Sequence, residues 1–244
     1  LFCAIAFRAY HHLKGIAYTV MIFGAVTTAL YYPGYFVEYN GYKLSGLITP
    51  LIQIIMFGMG TSMSVGDFVA VVKTPKAVII SVLAQFIIMP ILGFCLANAS
   101  GFSPEIAAGI ILIGCSPCGL ASNVMNYLAK ANLALSITIT SITTLIAPLI
   151  TPLLMNFLAG AFIEIDMVKM MWDIFKMVII PIGAGLLFNR LLKGKSSWLD
   201  AAMPVVSMAG IGIIIVIITA AGRDSLLEIG FLLIGLVMIH NLAG

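Results

Sequence analysis

The sequence predicts an all-α, polytopic membrane protein, on three observations. The 244 residues are 62% hydrophobic and 9% charged, with a mean hydropathy of +1.17, whereas soluble domains carry about 25% charged residues. Apolar windows near the length that crosses a bilayer, about 20 residues, recur at 15–32, 45–66, 77–98, 106–129, 133–160, 174–190, 201–222 and 229–244. Eleven of the twelve basic residues lie at the ends of these windows or between them, and only Lys176 sits just inside one. A chain in lipid must satisfy its backbone polar groups internally, so the windows are read as helices.

Charge sets the orientation. Arg8, Lys14, Lys73, Lys76, Lys130, Arg190, Lys193 and Lys195 fall on one side of the eight spans, against Lys43, Lys169 and Arg223 on the other. The positive-inside bias puts the N-terminus in the cytoplasm of a cell whose plasma or inner membrane holds the chain. The net charge of +3 is small and scattered, which argues against nucleic acid as a partner and leaves the lipid bilayer as the main one. Of Cys3, Cys95, Cys115 and Cys118, at least three fall in or beside apolar spans, so no disulfide framework is expected. Residues 1–6 are too short for a signal peptide. The chain starts without Met and stops within its last window, so a longer protein with further helices is expected.

Between the first two spans, residues 31–44 are aromatic and contain glycine, as in a structured loop at the membrane interface. Pro50, Pro90, Pro148, Pro152, Pro181 and Pro204 fall inside spans and predict kinks relieved by neighbouring groups. No polar linker longer than about 15 residues marks a separate soluble domain.

The fourth window carries most of the functional information. Residues 106–129 are interrupted by Gly114-Cys115-Ser116-Pro117-Cys118-Gly119, and each half is only about half of a span. Pro117 lacks an N–H and Gly119 tolerates unusual dihedrals, which explains the break. Broken helices at membrane depth persist only where protein or a wet cavity surrounds the freed backbone. In transporters such breaks bind substrates and coupling ions, because helix ends aim unpaired N–H and C=O groups at the ligand.

Ser122 and Asn123 follow the break in the first turn of the second half-helix. Their oxygens suit either helix capping or a small hard cation. In the next span Ser136, Thr140, Thr143 and Thr144 recur at i, i+4, i+7 and i+8, on one helical face. The turn at Ala131-Asn132 folds that face back towards Ser122 and Asn123. Neutral oxygens in this number suit a partly dehydrated Na⁺ and not Zn²⁺, which prefers His or thiolate. Gln85, in the middle of the third span, fits interhelical hydrogen bonding or ion ligation equally. His240-Asn241 in the last span is a similar case, since intramembrane ionisable groups mark function often enough to be named. Cys115-x-x-Cys118 reads as part of the break, because no second thiol pair or βαβ pattern supports metal or redox chemistry.

Taken together, these segments resemble the bile acid:sodium symporter family, and bacterial members most. The resemblance lies in residues 114–123 (GCSPCGLASN), in Tyr127-Leu128-Ala129 and Ala134-Leu135-Ser136, and in Thr140-Ser141, Thr144-Leu145 and Pro152-Leu153-Leu154. It continues in Met56-Phe57-Gly58-Met59-Gly60, Ala84-Gln85-Phe86, Met89-Pro90 and His240-Asn241. It implies a ten-helix inverted-repeat transporter fold with panel and core domains, of which about eight helices are present. Residues 15–66 and 174–222 would be panel helices. Residues 77–160, with the broken fourth helix, would be core, and 229–244 the start of the second core repeat. The resemblance makes Ser122, Asn123, Ser136 and Thr140 ligands of one Na⁺ and Gln85 a ligand of a second. The family's acidic and Gln ligands near the other broken helix would fall beyond Gly244. It also places an organic anion, such as a bile acid or a smaller carboxylate, near Pro117, Cys118, Gly119, Leu120, His240 and Asn241. Where the family usually has two glycines this chain has Cys118-Gly119, and where it often has a small hydroxyl residue this chain has Leu120, which implies a tighter and less polar pocket.

The function expected is therefore a sodium-coupled symporter working by alternating access, and not an enzyme. One alternative keeps the fold and makes it an arsenite efflux permease with a Cys118 thiolate as soft ligand. A more remote one is an intramembrane enzyme pairing Cys115 or Cys118 with His240.

Overall fold

Lys14–Tyr31 (α1) begins the computed structural model, which describes residues 14–62, 75–119, 122, 126, 131–192 and 197–243. After α1, one helical turn at Gly34–Val37 leads into a hairpin in which Glu38–Tyr39 (β1) pairs with Tyr42–Lys43 (β2). Its two loop residues, Asn40 and Gly41, have φ of 50° and 81°. A type I′ turn requires positive φ at both positions, which Asn-Gly tolerates. The aromatic loop read from the sequence is thus an ordered hairpin, with Tyr31, Tyr32, Tyr35, Tyr39 and Tyr42 exposed along it.

Among the described residues, five apolar helical stretches are long enough to cross a membrane: Leu44–Thr61, Pro75–Ser100, Leu135–Ala159, Met167–Leu191 and Arg223–Ala243. Shorter apolar helices occupy Val20–Tyr31, Pro104–Cys115 and Val205–Ala221. With their flanks these are α1, α2 (Ile48–Ser62), α3 (Pro75–Ser100), α4 (Pro104–Cys115) and α5 (Leu133–Ala159). Then come α6 (Met167–Ile174), α7 (Ile180–Leu192), α8 (Ser197–Ala221) and α9 (Arg223–Ala243). A π-helical turn, Phe175–Ile179, joins α6 to α7.

Two spans start six or seven residues earlier than hydropathy suggests. The window read at 174–190 begins at Met167, because Asp166 caps the helix by accepting from Lys169 N at 3.0 Å. The window read at 229–244 begins at Arg223, with Asp224 in its first turn. Acidic groups at a helix N-terminus are favoured by the dipole, yet they lower the hydropathy on which a window is drawn.

The chain forms two units. The first comprises 1–59 and 192–230, the second 60–191 and 231–244. In the first, α8 packs on α1 and on the turn at Gly34–Val37. Gly58 lies against Met203 and Gly210 against Ile55. The Arg223 side chain donates from Nε to Leu30 O at 2.7 Å, capping the end of α1.

The second unit is organised around α3, α4 and α5. Gly101, with φ of 65°, ends α3, and Pro104 opens α4 three residues later, so the pair is antiparallel. The two backbones touch. A Cβ on Gly114 would run into the Met89 carbonyl, and one on Gly93 would lie 3.2 Å from Ile110 O. Ala97, Ala107, Ala108, Ile110, Ile111, Cys115, Met155 and Ala159 form the buried core among these helices. Outward residues such as Phe231 and Leu242 are almost fully exposed, the arrangement of a protein whose surroundings are lipid.

Candidate functional site

The helix of the fourth window stops at Cys115. Ser116 turns to an extended conformation (φ −78°, ψ 149°), and beyond Gly119 only Ser122 and Asn126 are described, both helical. A helix end leaves carbonyls without N–H partners, and inside a membrane water cannot supply them. Side chains from elsewhere do so. Thr151 of α5 donates from Oγ1 to Cys115 O at 2.8 Å, and Gln85 of α3 donates from Nε2 to Ser116 O at 2.9 Å. Ser122 donates from Oγ to Gly119 O at 2.7 Å, and its N–H reaches the same carbonyl at 3.1 Å.

Next to these contacts lies a cavity of about 630 Å³ within the second unit. Gln85 of α3, Cys118 and Ser122 of the break, and Ser136 and Thr140 of α5 line it together with Asn126 and Asn241. The Thr140 hydroxyl donates to Ser136 O at 3.0 Å, the ordinary i−4 bond of a helical threonine. Such a bond directs the hydroxyl proton at the backbone. The Ser122 hydroxyl is set in the same way. Asn126 ties the far side of the break to α5 by donating from Nδ2 to Ser122 O at 3.0 Å and to Ser136 Oγ at 2.9 Å. The polar part of the cavity wall is thus neutral, with oxygens set among the apolar Ala84, Ile88, Met89, Leu135 and Ile139. Among the described residues no three His, Cys, Asp or Glu side chains come together to hold a metal, whereas hard cations take the oxygens that are present.

Of the residues read from the sequence, the structure brings Ser122, Ser136, Thr140, Gln85, Cys118 and Asn241 to one cavity. Asn123 and Leu120 lie outside the described residues. Pro117 and Gly119 stand in the linking segment of the break. His240 is placed elsewhere than expected of a substrate contact. It is 1% exposed, and its Nε2 lies 3.1 Å from Met89 O, one residue before Pro90. A carbonyl only accepts, so Nε2 carries the proton and the ring pins α9 to α3. Asn241, the next residue, donates from Nδ2 to Val237 O and so keeps its Oδ1 as an acceptor beside the cavity.

Sequence reasoning missed Asn126 and Thr151. Asn126 stands four residues after Ser122, a helical spacing that carried the signal. Thr151 meets a carbonyl 36 positions away, and nothing local announces that.

A sequence model of the Sodium Bile acid symporter family matches residues 49–229. The chain is 37% identical over 234 residues to an uncharacterized sodium-dependent transporter of Bacillus subtilis, YocS, covering 96% of this chain and 71% of that protein. It is 32% identical over 163 residues to a probable chloroplastic sodium/metabolite cotransporter of Arabidopsis thaliana, BASS1, covering 67% of this chain and 41% of the relative. A second from that plant, BASS3, is 36% identical over 162 residues, covering 66% and 38%.

Proposed function

Since the chain belongs to the Sodium Bile acid symporter family, we propose that it acts in a symporter that couples Na⁺ entry to uptake of a small organic anion. Membership in a family of membrane transporters sets the enzyme reading aside. The observation that carries the proposal is the neutral oxygen wall formed by Gln85, Ser122, Asn126, Ser136 and Thr140 around one cavity at a broken helix.

The donor set fits sodium. Hydroxyl and amide oxygens replace part of the ion's hydration without adding negative charge, so the complex keeps a net positive charge. Any net positive charge left after the anion is counted couples transport to the membrane potential, at about 2.3 kcal/mol per charge per 100 mV. The bound ion also favours an anion beside it. The second half-helix begins at the break, and unpaired N–H groups at a helix N-terminus attract a carboxylate. Cys118 and Asn241 line the cavity and are read as such contacts, together with Pro117 and Gly119 of the break; Leu120 lies outside the described residues. His240 acts on this reading by holding α3, the helix that carries Gln85, and not by touching substrate.

Residues 15–66 and 174–222 are read as panel and residues 77–160 with 229–244 as core; the second compact unit differs from that division in taking in α6 and α7 up to Leu191. Alternating access then follows when the unit that carries ion and anion changes which side of the membrane it opens to. The basic residues favour a plasma or inner membrane orientation with the N-terminus inside. An arsenite permease fits less well. A soft ligand set needs thiols together, but Cys115 faces the hydrophobic core while Cys118 lines the cavity.

The test is thermal stability of the full-length protein in Na⁺ against K⁺ at equal ionic strength, for the native protein and for Thr140→Val. An ion at 100 times its dissociation constant stabilises by about 2.7 kcal/mol. A Na⁺-specific rise in melting temperature, diminished in Thr140→Val, is the expected result. A folded protein that ignores Na⁺ overturns the proposal.

A further inference from the structure

Both ends of the Gln85 amide are held by the break. Nε2 donates to Ser116 O, and Oε1 accepts from the Cys118 thiol at 3.2 Å. Because the Ser116 carbonyl can only accept, it fixes which end of the amide is which. Oε1 is therefore turned towards Cys118, and both residues line the cavity with Ser122, Ser136 and Thr140. The oxygen that would ligate a cation is the one at which a thiol proton already points. A cation and an S–H proton seek the same lone pairs and repel each other when both approach one carbonyl. A glycine or an alanine at position 118 would bring no proton to that oxygen.

We propose that Cys118 sets the sodium affinity of this cavity by competing, through its S–H, for Oε1 of Gln85. The ion displaces the thiol proton as it enters, without any covalent change or loss of the proton. Ion entry thus breaks one weak hydrogen bond and reorients a side chain of the break. The inference rests on the sodium reading above and deepens it, by naming a residue of this chain that tunes the ion site without ligating it.

The size of the effect follows from the bond displaced. A net hydrogen bond of ordinary strength changes an equilibrium by about two- to twelvefold, and a thiol is a weak donor. Removing it should therefore raise the apparent Na⁺ affinity by about two- to fivefold. The full-length protein in detergent is titrated with Na⁺ against K⁺ at constant ionic strength, and the midpoint of thermal stabilisation is read for the native protein, Cys118→Ala and Cys118→Val. Alanine removes the donor, and valine removes it while keeping the volume, so one variant serves if the other does not fold. Both variants are expected to reach half-stabilisation at about two- to fivefold lower Na⁺. Native protein stabilised by Na⁺, with variants needing the same or more of the ion, overturns the role of Cys118 and leaves the sodium reading standing. Native protein with no Na⁺-specific stabilisation overturns the sodium reading and this inference with it.

Discussion

Replacing Thr151 by valine tests how the broken helix is held together. Cys115 is the last residue of α4, so its carbonyl is one of the four that a helix leaves without an intrahelical N–H. Thr151 Oγ1 reaches it at 2.8 Å from the neighbouring α5, and Thr151 is only 4% exposed. Valine keeps the shape and removes only the hydroxyl, which leaves the carbonyl buried with no water to replace the donor. Side-chain hydrogen bonds inside membrane proteins are worth about 0.6 kcal/mol on average and up to about 1.7. An orphaned buried carbonyl costs about 1–3 kcal/mol in soluble proteins, so the loss should fall near the upper membrane value, about 1–1.7 kcal/mol. For a chain of this size each kcal/mol moves the melting temperature by about 2–4 °C, which gives a fall of about 2–7 °C. The assay is thermal unfolding of the full-length protein in detergent, with Thr151→Ser alongside, because serine keeps the hydroxyl and loses only a methyl. A Thr151→Val protein that melts within about 1 °C of native, or above Thr151→Ser, refutes the claim that this bond holds the break.

Other consequences can be checked in the same preparations. Gly114→Ala should destabilise by about 1–3 kcal/mol, because its Cβ meets the backbone of Met89 and Pro90, which cannot yield. Gly109→Ala, on the same helix with nothing within 4 Å of the added carbon, should be neutral or stabilise by up to about 1 kcal/mol. Equal melting temperatures for these two would remove the argument for α3–α4 backbone contact. Asn126→Leu breaks the bridge from Ser122 O to Ser136 Oγ. It should lower the Na⁺-specific stabilisation while the protein still folds, and an unchanged Na⁺ titration would take Asn126 out of the site. For orientation, a cysteine at Asn40 in the hairpin should react with an impermeant maleimide from outside intact cells, and one at Lys195 only after lysis. The reverse pattern would invert the assigned topology.

The helices were legible because a lipid-facing chain writes its fold in composition. Every apolar window read from the sequence meets a helix, though the described residues stop at Ser62 and, past the break, at Ser122 and Asn126. The misplaced starts at Met167 and Arg223 share a cause. Charged first turns look like loop in a hydropathy average but are stable at a membrane boundary, where caps and solvent satisfy them. Of the site, the hydroxyl face of α5 and the break were visible because both are local patterns. Gln85 was visible only as a polar residue out of place. That its amide spans from Ser116 to Cys118, 31 and 33 positions away, depends on how α3 packs against α4. His240 shows the converse. Its chemistry drew attention in the sequence, but burial beside Pro90 gives it a fastening role that no spacing announced.

The broken helix exposes carbonyls, yet a cation site needs some of them controlled. The carbonyls of Cys115, Ser116 and Gly119 are each taken by a side-chain donor, and the three donors come from α5, α3 and the break itself. Gln85 differs from the other two because its opposite end faces the cavity. On the sodium reading, a positive ion at Oε1 draws electron density through the amide and makes Nε2–H a better donor to Ser116 O, as hydrogen bonds in series polarise one another. Loading the ion would then tighten the grip of α3 on the end of α4, whereas the neutral hydroxyls of Ser136 and Thr140 carry no comparable conjugated link. Of the cavity residues, Gln85 is therefore the one whose substitution should affect both ion affinity and the stability of the break, with Gln85→Leu losing both and Thr140→Val chiefly the first.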